Sequence, residues 1–460
     1  MKHIHLIGIG GTGISSIARV LLERGYTVTG SDRTLSPLAL DLAIHGAHIY
    51  EGHDPANIKG ADLVVRSSAI PDNNVEVLAA EASGIPVLKR ADFLADLMKD
   101  QVAITVAGSH GKTTTTTLMA YTLNRLGLDP SYIIGGVSKD LANSAHAGKG
   151  AYFVIEADEY DHMFLGLMPH IAIITNVEYD HPDCYPTPTD YRAAFADFVK
   201  LLPEDGLLVI CKDDEHASKL VDAVKPGTRV VTFGYSDDAD YQAINVQTNS
   251  VGGYDYDLVD HFKNTTIAHV SLQIPGTHNA RNSIAILAVL NELCFPVARA
   301  AENLSRFTGT GRRFDVIGEV GGVTIVDDYA HHPSKISATL TAARARYPQR
   351  RLVTVWQPHT YSRTHSLEAD FIRSLKGSDL TLVTEIYAAR EPKEKYSALD
   401  LVNKMTGKNI YYCKTLDDAV TMLTDKLLPG DVLLVLSAGD ADQICKKMLK
   451  VLQEREEQHD

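Results

Sequence analysis

Positive charge is the first thing this sequence lacks: 44 Lys and Arg stand against 58 Asp and Glu in 460 residues, a formal net charge of −14. So acidic a chain is poorly suited to a polyanion, which argues against nucleic acid or an anionic membrane as its partner. An anionic substrate would have to be held by local sites against this field. Long apolar runs are missing too, so no membrane span is expected. The opening MKHIHLIGIGGTG is broken by glycines where a secretory leader would be continuously apolar. Cysteine is sparse: Cys184, Cys211, Cys294, Cys413 and Cys445 form no C-x-x-C and, being odd in number, cannot all pair. That usage fits a reducing, cytoplasmic compartment with buried or inert thiols. There is no internal repeat, coiled coil or low-complexity tract. What remains is ordinary globular composition, 45% hydrophobic and 22% charged, in a length that calls for roughly two to four domains.

Three blocks are visible, each opening with an apolar β-like run, a turn and a helix-like segment. The first, residues 1–98, starts HIHLIGIGGTGISSIARVLLERGYTVTGSD, a βαβ unit, and continues through ADLVVRSSAIP and NNVEVLAAEASG as a doubly wound sheet. The second, 99–311, starts VAITVAGSHGKT and carries strands AYFVIEAD, IAIITNV and GLLVIC, then an antiparallel subsheet around TTIAHVSLQIPG and a closing helix NARNSIAILAVLNELCF. The third, 312–460, alternates strands VTIVDDY, RLVTVWQP, LTLVTE and DVLLVLSAG with helices; its polar tail LQEREEQHD is expected to fray.

Chemistry-bearing residues gather where strands end. In the first block Gly8, Gly10, Gly11 and Gly13 lie between strand and helix, where glycines let the backbone approach a diphosphate seated on the helix N-terminus. Asp32, at the end of the second strand, has the place of a ribose-binding acid, and Arg66, Ser67 and Ser68 sit at another strand's carboxyl edge. These features support NAD or another nucleotide diphosphate, with a tight βα turn that holds no ligand as the alternative. In the second block GSHGKTT has the strand–turn–helix setting of a phosphate loop (Gly108, Ser109, His110, Gly111, Lys112, Thr113, Thr114). The usual G-x-x-x-x-G-K-[ST] spacing would need glycine at Val106, so the loop is a shorter variant opening at Gly108. Lys112 is placed to reach terminal phosphates and Thr113 to ligate Mg²⁺. Glu156 and the group Asn176, Glu178, Asp180 and His181 follow two further strands and suit a divalent cation. Asn279 and Asn282 stand one turn apart, able to bind an adenine edge, although Asn279 would also serve as a helix cap. In the third block GRRF, DDYAHHPSKI and QPHTYSRT cluster Arg, His and Asp; buried without partners these would be costly, so they point to ligands.

These motifs in this order resemble the Mur ligase family, ATP-dependent enzymes that build the peptide of bacterial cell-wall precursors. The resemblance spans essentially the whole chain, and GRRFDVIGEVGGVTIVDDYAHHP with QPHTYSRT is its most specific part. It implies an α/β fold of three domains: an N-terminal Rossmann-like domain for a UDP-sugar, a central P-loop ATPase-like domain with a mixed sheet, and a C-terminal Rossmann-like α/β domain for an amino acid. It implies ATP and Mg²⁺ (Mn²⁺ able to substitute) as cofactors, and UDP-N-acetylmuramate and L-alanine as substrates. It also implies a monomer or homodimer acting without nucleic acid or membrane. A substrate carboxylate would attack the γ-phosphate, and the amino group would then displace phosphate from the acyl phosphate.

By the same resemblance Lys112, Glu156, His181 and Arg363 would be catalytic, with Thr113, Glu156 and His181 holding metal. Asn279 and Asn282 would contact adenine, and Arg313 and Asp328 the ribose and phosphates. His331, His359 and Arg363 would shape the amino-acid end, and His110 would face the sugar-borne acid. The chain departs from the family at Thr360, in place of a usual Arg, at Pro182 after His181, and at Ser437 in SAGD. Three alternatives stand beside this reading: a recycling ligase adding a tripeptide to the same UDP-sugar, an NAD-dependent oxidoreductase supported by the first block alone, and a nucleotide-binding regulator without catalysis.

Overall fold

The computed structural model describes residues 2–141, 143–389, 391–407 and 409–459, with backbone alone at 458 and 459. Three sheets carry the chain. The first is five-stranded and parallel, in the order His48–Glu51, Thr27–Asp32, His3–Ile7, Leu63–Arg66, Val87–Lys89. The chain winds outward from His3–Ile7 in one direction and then the other, so the crevice where the order reverses lies between that strand and Leu63–Arg66. Gly8 and Ser67 follow these two strands directly, and Ser67 N donates to Ile7 O at 3.0 Å.

The second sheet has ten strands. Its parallel part places Val102–Ala107 between Ile171–Ile174 and Tyr152–Glu156, with Leu207–Cys211 and Arg229–Gly234 beyond. Strands such as IAII and LLVIC are buried along their whole length, as expected where helices cover both faces of a parallel sheet. Past Arg229–Gly234 the strands Tyr241–Thr248, Tyr254–Asp260 and Thr265–Leu272 form an antiparallel meander continuous with that sheet. Tyr254–Asp260 alternates buried and half-buried residues, the signature of one packed face; its neighbours pack on helices Thr277–Glu292 and Val297–Leu304.

The third sheet runs Asp315–Val320, Val323–Asp328, Val432–Leu436, Leu352–Trp356, Leu380–Thr384, Ile410–Cys413, antiparallel only at its first edge. Three adjacent strands thus end at residues 328, 436 and 356, which brings DDYAHHP, SAGD and QPHTYSRT to one edge. The tail expected to fray instead extends a helix over Gln443–His459, anchored by buried Ile444, Cys445, Met448 and Leu452. All five cysteines are free, and no helix among the described residues is long and apolar enough to cross a membrane.

Candidate active site

The central loop requires glycine at two positions. Gly108 (φ 139°) and Gly111 (φ 82°) occupy backbone conformations that L side chains rarely adopt, and a Cβ would stand 2.0 Å from Thr175 Oγ1 and 2.7 Å from Asn282 Nδ2 respectively. Helix Lys112–Arg125 follows with no side-chain cap. Its first-turn N–H groups and Lys112 therefore form a cradle open to an anion.

Lys112 donates from Nζ to Gly108 O at 2.8 Å and to Glu159 Oε2 at 2.6 Å. Burial alone would lower its pKa, but the carboxylates of Glu159, Asp158 and Glu156 outweigh that and hold it above the ordinary lysine value. Glu159 is fully buried, and despite that burial Lys112 and His181 keep it ionised below the usual range. Glu156, raised by burial, accepts from Thr113 Oγ1 at 2.9 Å and from Gly135 N at 3.1 Å. His181 (φ 58°) brings Nε2 to 3.7 Å from Glu159 Oε1, while its buried Nδ1 has no hydrogen-bond partner. A hydroxyl, a carboxylate and an orphaned imidazole nitrogen around one phosphate loop form a donor set that fits a divalent cation.

The C-terminal domain closes over this loop. Arg313 Nη2 reaches Thr113 Oγ1 at 3.3 Å, and Ser334 Oγ donates to Glu178. Between the two domains lies a cavity of about 280 Å³ lined by His110, Gly111, Thr114, Asn279, Asn282, Arg313 and Asp328. Those seven sequence-selected residues are brought together. Asn279 does not cap its helix: Gly276 has the cap position, and Asn279 Nδ2 donates to Pro275 O at 2.7 Å. Asp328 accepts from Phe314 N at 2.7 Å. Ser109 lies behind the loop, bonded to Glu178 O and Tyr191.

His331, His359 and Arg363 form a second group. The rings of His331 and His359 are 5.8 Å apart, and Arg363 Nη1 lies 3.3 Å from His359 Nδ1. Arg363 sends Nε (3.1 Å) and Nη2 (2.8 Å) to Asp180 Oδ1, so part of its fork is already engaged by the central domain.

In the N-terminal domain Gly8, Gly10, Gly11 and Gly13 form the expected strand–helix turn, with Ser67 and Ser68 on the neighbouring strand end. The Asp32 carboxylate is occupied by backbone donors: Gly10 N at 2.8 Å and Arg33 N at 2.8 Å. A residue missed from sequence stands here. The Arg90 guanidinium lies against Gly13, where a Cβ would meet Nη1 at 1.7 Å, and Arg90 faces Asp158 and Asp161 across the domain boundary. Also missed were Glu159, although it sits inside EADEYD, and Lys335 and His278, both lining the cavity. Lys335 has no ion-paired partner among the described residues, and burial lowers it to about 8.

This architecture has counterparts. The chain matches the Mur ligase family, catalytic domain over residues 3–102, the Mur ligase middle domain over 106–290, and the Mur ligase, glutamate ligase domain over 312–439. The chain belongs to the Mur ligase family. It is similar to the UDP-N-acetylmuramate–L-alanine ligase of Caldanaerobacter subterraneus subsp. tengcongensis, at 41% identity over 98% of this chain and 97% of the relative. The enzyme of that name from Magnetococcus marinus is 42% identical, covering 96% and 95%. Among solved structures, UDP-N-acetylmuramate–alanine ligase from Thermotoga maritima superposes with a TM-score of 0.82 at 28% identity, covering 99% of this chain and all of that one (100%). A murein peptide ligase from Psychrobacter arcticus gives 0.72 at 27%, covering 98% and 99%.

Proposed function

We propose that this chain is an ATP-dependent ligase that joins L-alanine to the carboxylate of UDP-N-acetylmuramate in peptidoglycan precursor synthesis, working in the cytoplasm where ATP is supplied. The observation that carries the reading is the convergence of four strand-end clusters on one cleft: the Lys112 loop, the Glu156–Glu159 edge, the Asn176–His181 edge, and the His331–His359–Arg363 group, which Arg363 joins to Asp180. Residues 1–98, 99–311 and 312–460 are proposed as the UDP-sugar, ATP and amino-acid domains.

In this reading Lys112 and the helix N-terminus hold the β- and γ-phosphates, and Arg313 neutralises charge on the transferred group. Asn279 and Asn282 orient the base. Thr113, Glu156 and His181 are the residues that would hold Mg²⁺, which when bound supplies charge neutralisation on the phosphates. The N-terminal glycine turn, Ser67 and Ser68 bind the UDP-sugar, whose carboxylate reaches the γ-phosphate beside His110. His331, His359 and Arg363 present the amino group. The names of the relatives at about 40% identity favour L-alanine over a tripeptide as acceptor.

Phosphate release is the test, with L-alanine, glycine, L-serine or a tripeptide as acceptor. Turnover is expected only with UDP-N-acetylmuramate, ATP, Mg²⁺ and a small amino acid together, L-alanine best. Turnover confined to the tripeptide would assign the recycling reaction, and hydride transfer from NADH would sink the ligase reading. Lys112→Ala is expected to abolish phosphate release while leaving UDP-sugar affinity within severalfold; equal loss of both would show that the domain roles are misassigned.

A further inference from the structure

We propose that His110, Glu178 and His332 form a transition-metal site, separate from the Thr113–Glu156–His181 set, that fastens the C-terminal domain to the central one when Zn²⁺ or a similar ion binds. One ligand atom from each lies within 4.8 Å of the others. His110 Nε2 is 2.6 Å from Glu178 Oε2, His332 Nδ1 is 3.9 Å from Glu178 Oε1, and the two imidazole rings are 5.1 Å apart. Small side-chain rotations bring three such atoms to the roughly 2 Å bonds of a tetrahedral ion.

The second observation is that His332 is 3% exposed, yet neither ring nitrogen has a hydrogen-bond partner. The buried Nδ1 of His110 is likewise unpartnered. Orphaned buried nitrogens are costly unless something occupies them. Burial lowers both imidazoles, His332 to about 4, so their lone pairs are available near neutral pH; hydrogen bonds from His110 and Ser334 outweigh burial at Glu178 and hold it at about 2, a carboxylate. Two neutral imidazoles and one carboxylate select Zn²⁺ or Co²⁺ over Mg²⁺. Lys335 is the nearby cation, and His110, Glu178 and Lys335 all line the cavity. Because His110 and Glu178 belong to the central domain and His332 to the C-terminal one, the ion binds only the apposed arrangement. It therefore inhibits by holding the cleft shut.

Metal-stripped full-length protein is titrated with Co²⁺ in excess Mg²⁺, following the visible absorption of four-coordinate cobalt, with competition by Zn²⁺. One equivalent is expected, weakened roughly tenfold or more by His332→Ala and by Glu178→Gln, and kept in Glu156→Gln. Zn²⁺ is expected to reduce the radius of gyration of the parent protein and leave that of His332→Ala unchanged. His332→Gln, close in volume, serves if the alanine variant fails to fold. Cobalt spectra unaltered by these substitutions, or abolished by Glu156→Gln alone, would overturn the proposal.

Discussion

Glu76 shows how much one buried side chain decides away from the cleft. Its fully buried carboxylate accepts from Ser31 Oγ at 2.5 Å, Asn57 Nδ2 at 2.6 Å and His53 Nδ1 at 3.1 Å, with His5 Nε2 at 3.7 Å. Burial alone would raise its pKa, but the neighbouring His5 and the hydrogen bonds from Ser31 and Asn57 prevail and lower it from 4.5 to about 2. The folded state thus prefers the carboxylate. Its contribution is present above pH 4.5 and is lost as pH falls from there toward 2. Glu76→Gln preserves the shape but removes the charge and turns one acceptor oxygen into an amide NH₂ facing donors, which should cost about 1–3 kcal/mol at neutral pH. Urea unfolding followed by circular dichroism should show an earlier first transition than in the parent, the gap narrowing as pH falls through that window. A pH-independent gap would mean that packing, not charge, is what the substitution disturbs.

At the scale of elements, the helix that follows the glycine turn and the helix Arg90–Met98 approach closely where Arg90 lies against Gly13. The Cβ of an alanine at position 13 would stand 1.7 Å from Arg90 Nη1, the far end of a flexible side chain, and Gly13 has no positive φ. Gly13→Ala should therefore leave the thermal midpoint almost unchanged while pushing the guanidinium off the anion-facing turn. The expected result is a KM for the UDP-sugar raised about tenfold, the order of one charge-assisted hydrogen bond, with kcat little altered. An unchanged KM would remove Arg90 from the diphosphate site. This element also marks where sequence reading stops. The βαβ order, the glycine turns and the strand-end motifs were legible because apolar runs, turn residues and side-chain chemistry alternate along the chain. Arg90 was not, because its neighbour is a glycine with no side chain to announce a contact 77 positions away. Glu159 was quoted in its motif and still passed over, since only the fold reveals that Lys112, 47 residues earlier, takes it as partner. The end of the terminal helix was missed because its buried anchors, Ile444, Cys445, Met448 and Leu452, precede a run of polar residues.

For the whole molecule, the decisive contact is Arg363 with Asp180, joining the third domain to the second. The two are 5% and 3% exposed, and although burial opposes ionisation of Asp180, Arg363 holds it well below the usual carboxylate range. Removing one partner of such a pair leaves an uncompensated buried charge, typically about 3–5 kcal/mol, enough to shift a docked arrangement decisively. Arg363→Ala should then expand the protein in X-ray scattering and abolish turnover together. That result alone would not separate docking from amino-acid recognition, but a double-mutant cycle does. Asp180→Asn with Arg363→Gln removes both charges, so compactness should largely return. Turnover should not return, because His359 keeps no guanidinium beside it to hold the incoming carboxylate, Arg363 Nη1 being its neighbour at 3.3 Å. Recovery of both compactness and turnover in the double variant would reduce Arg363 to a docking residue and leave amino-acid recognition to His331 and His359.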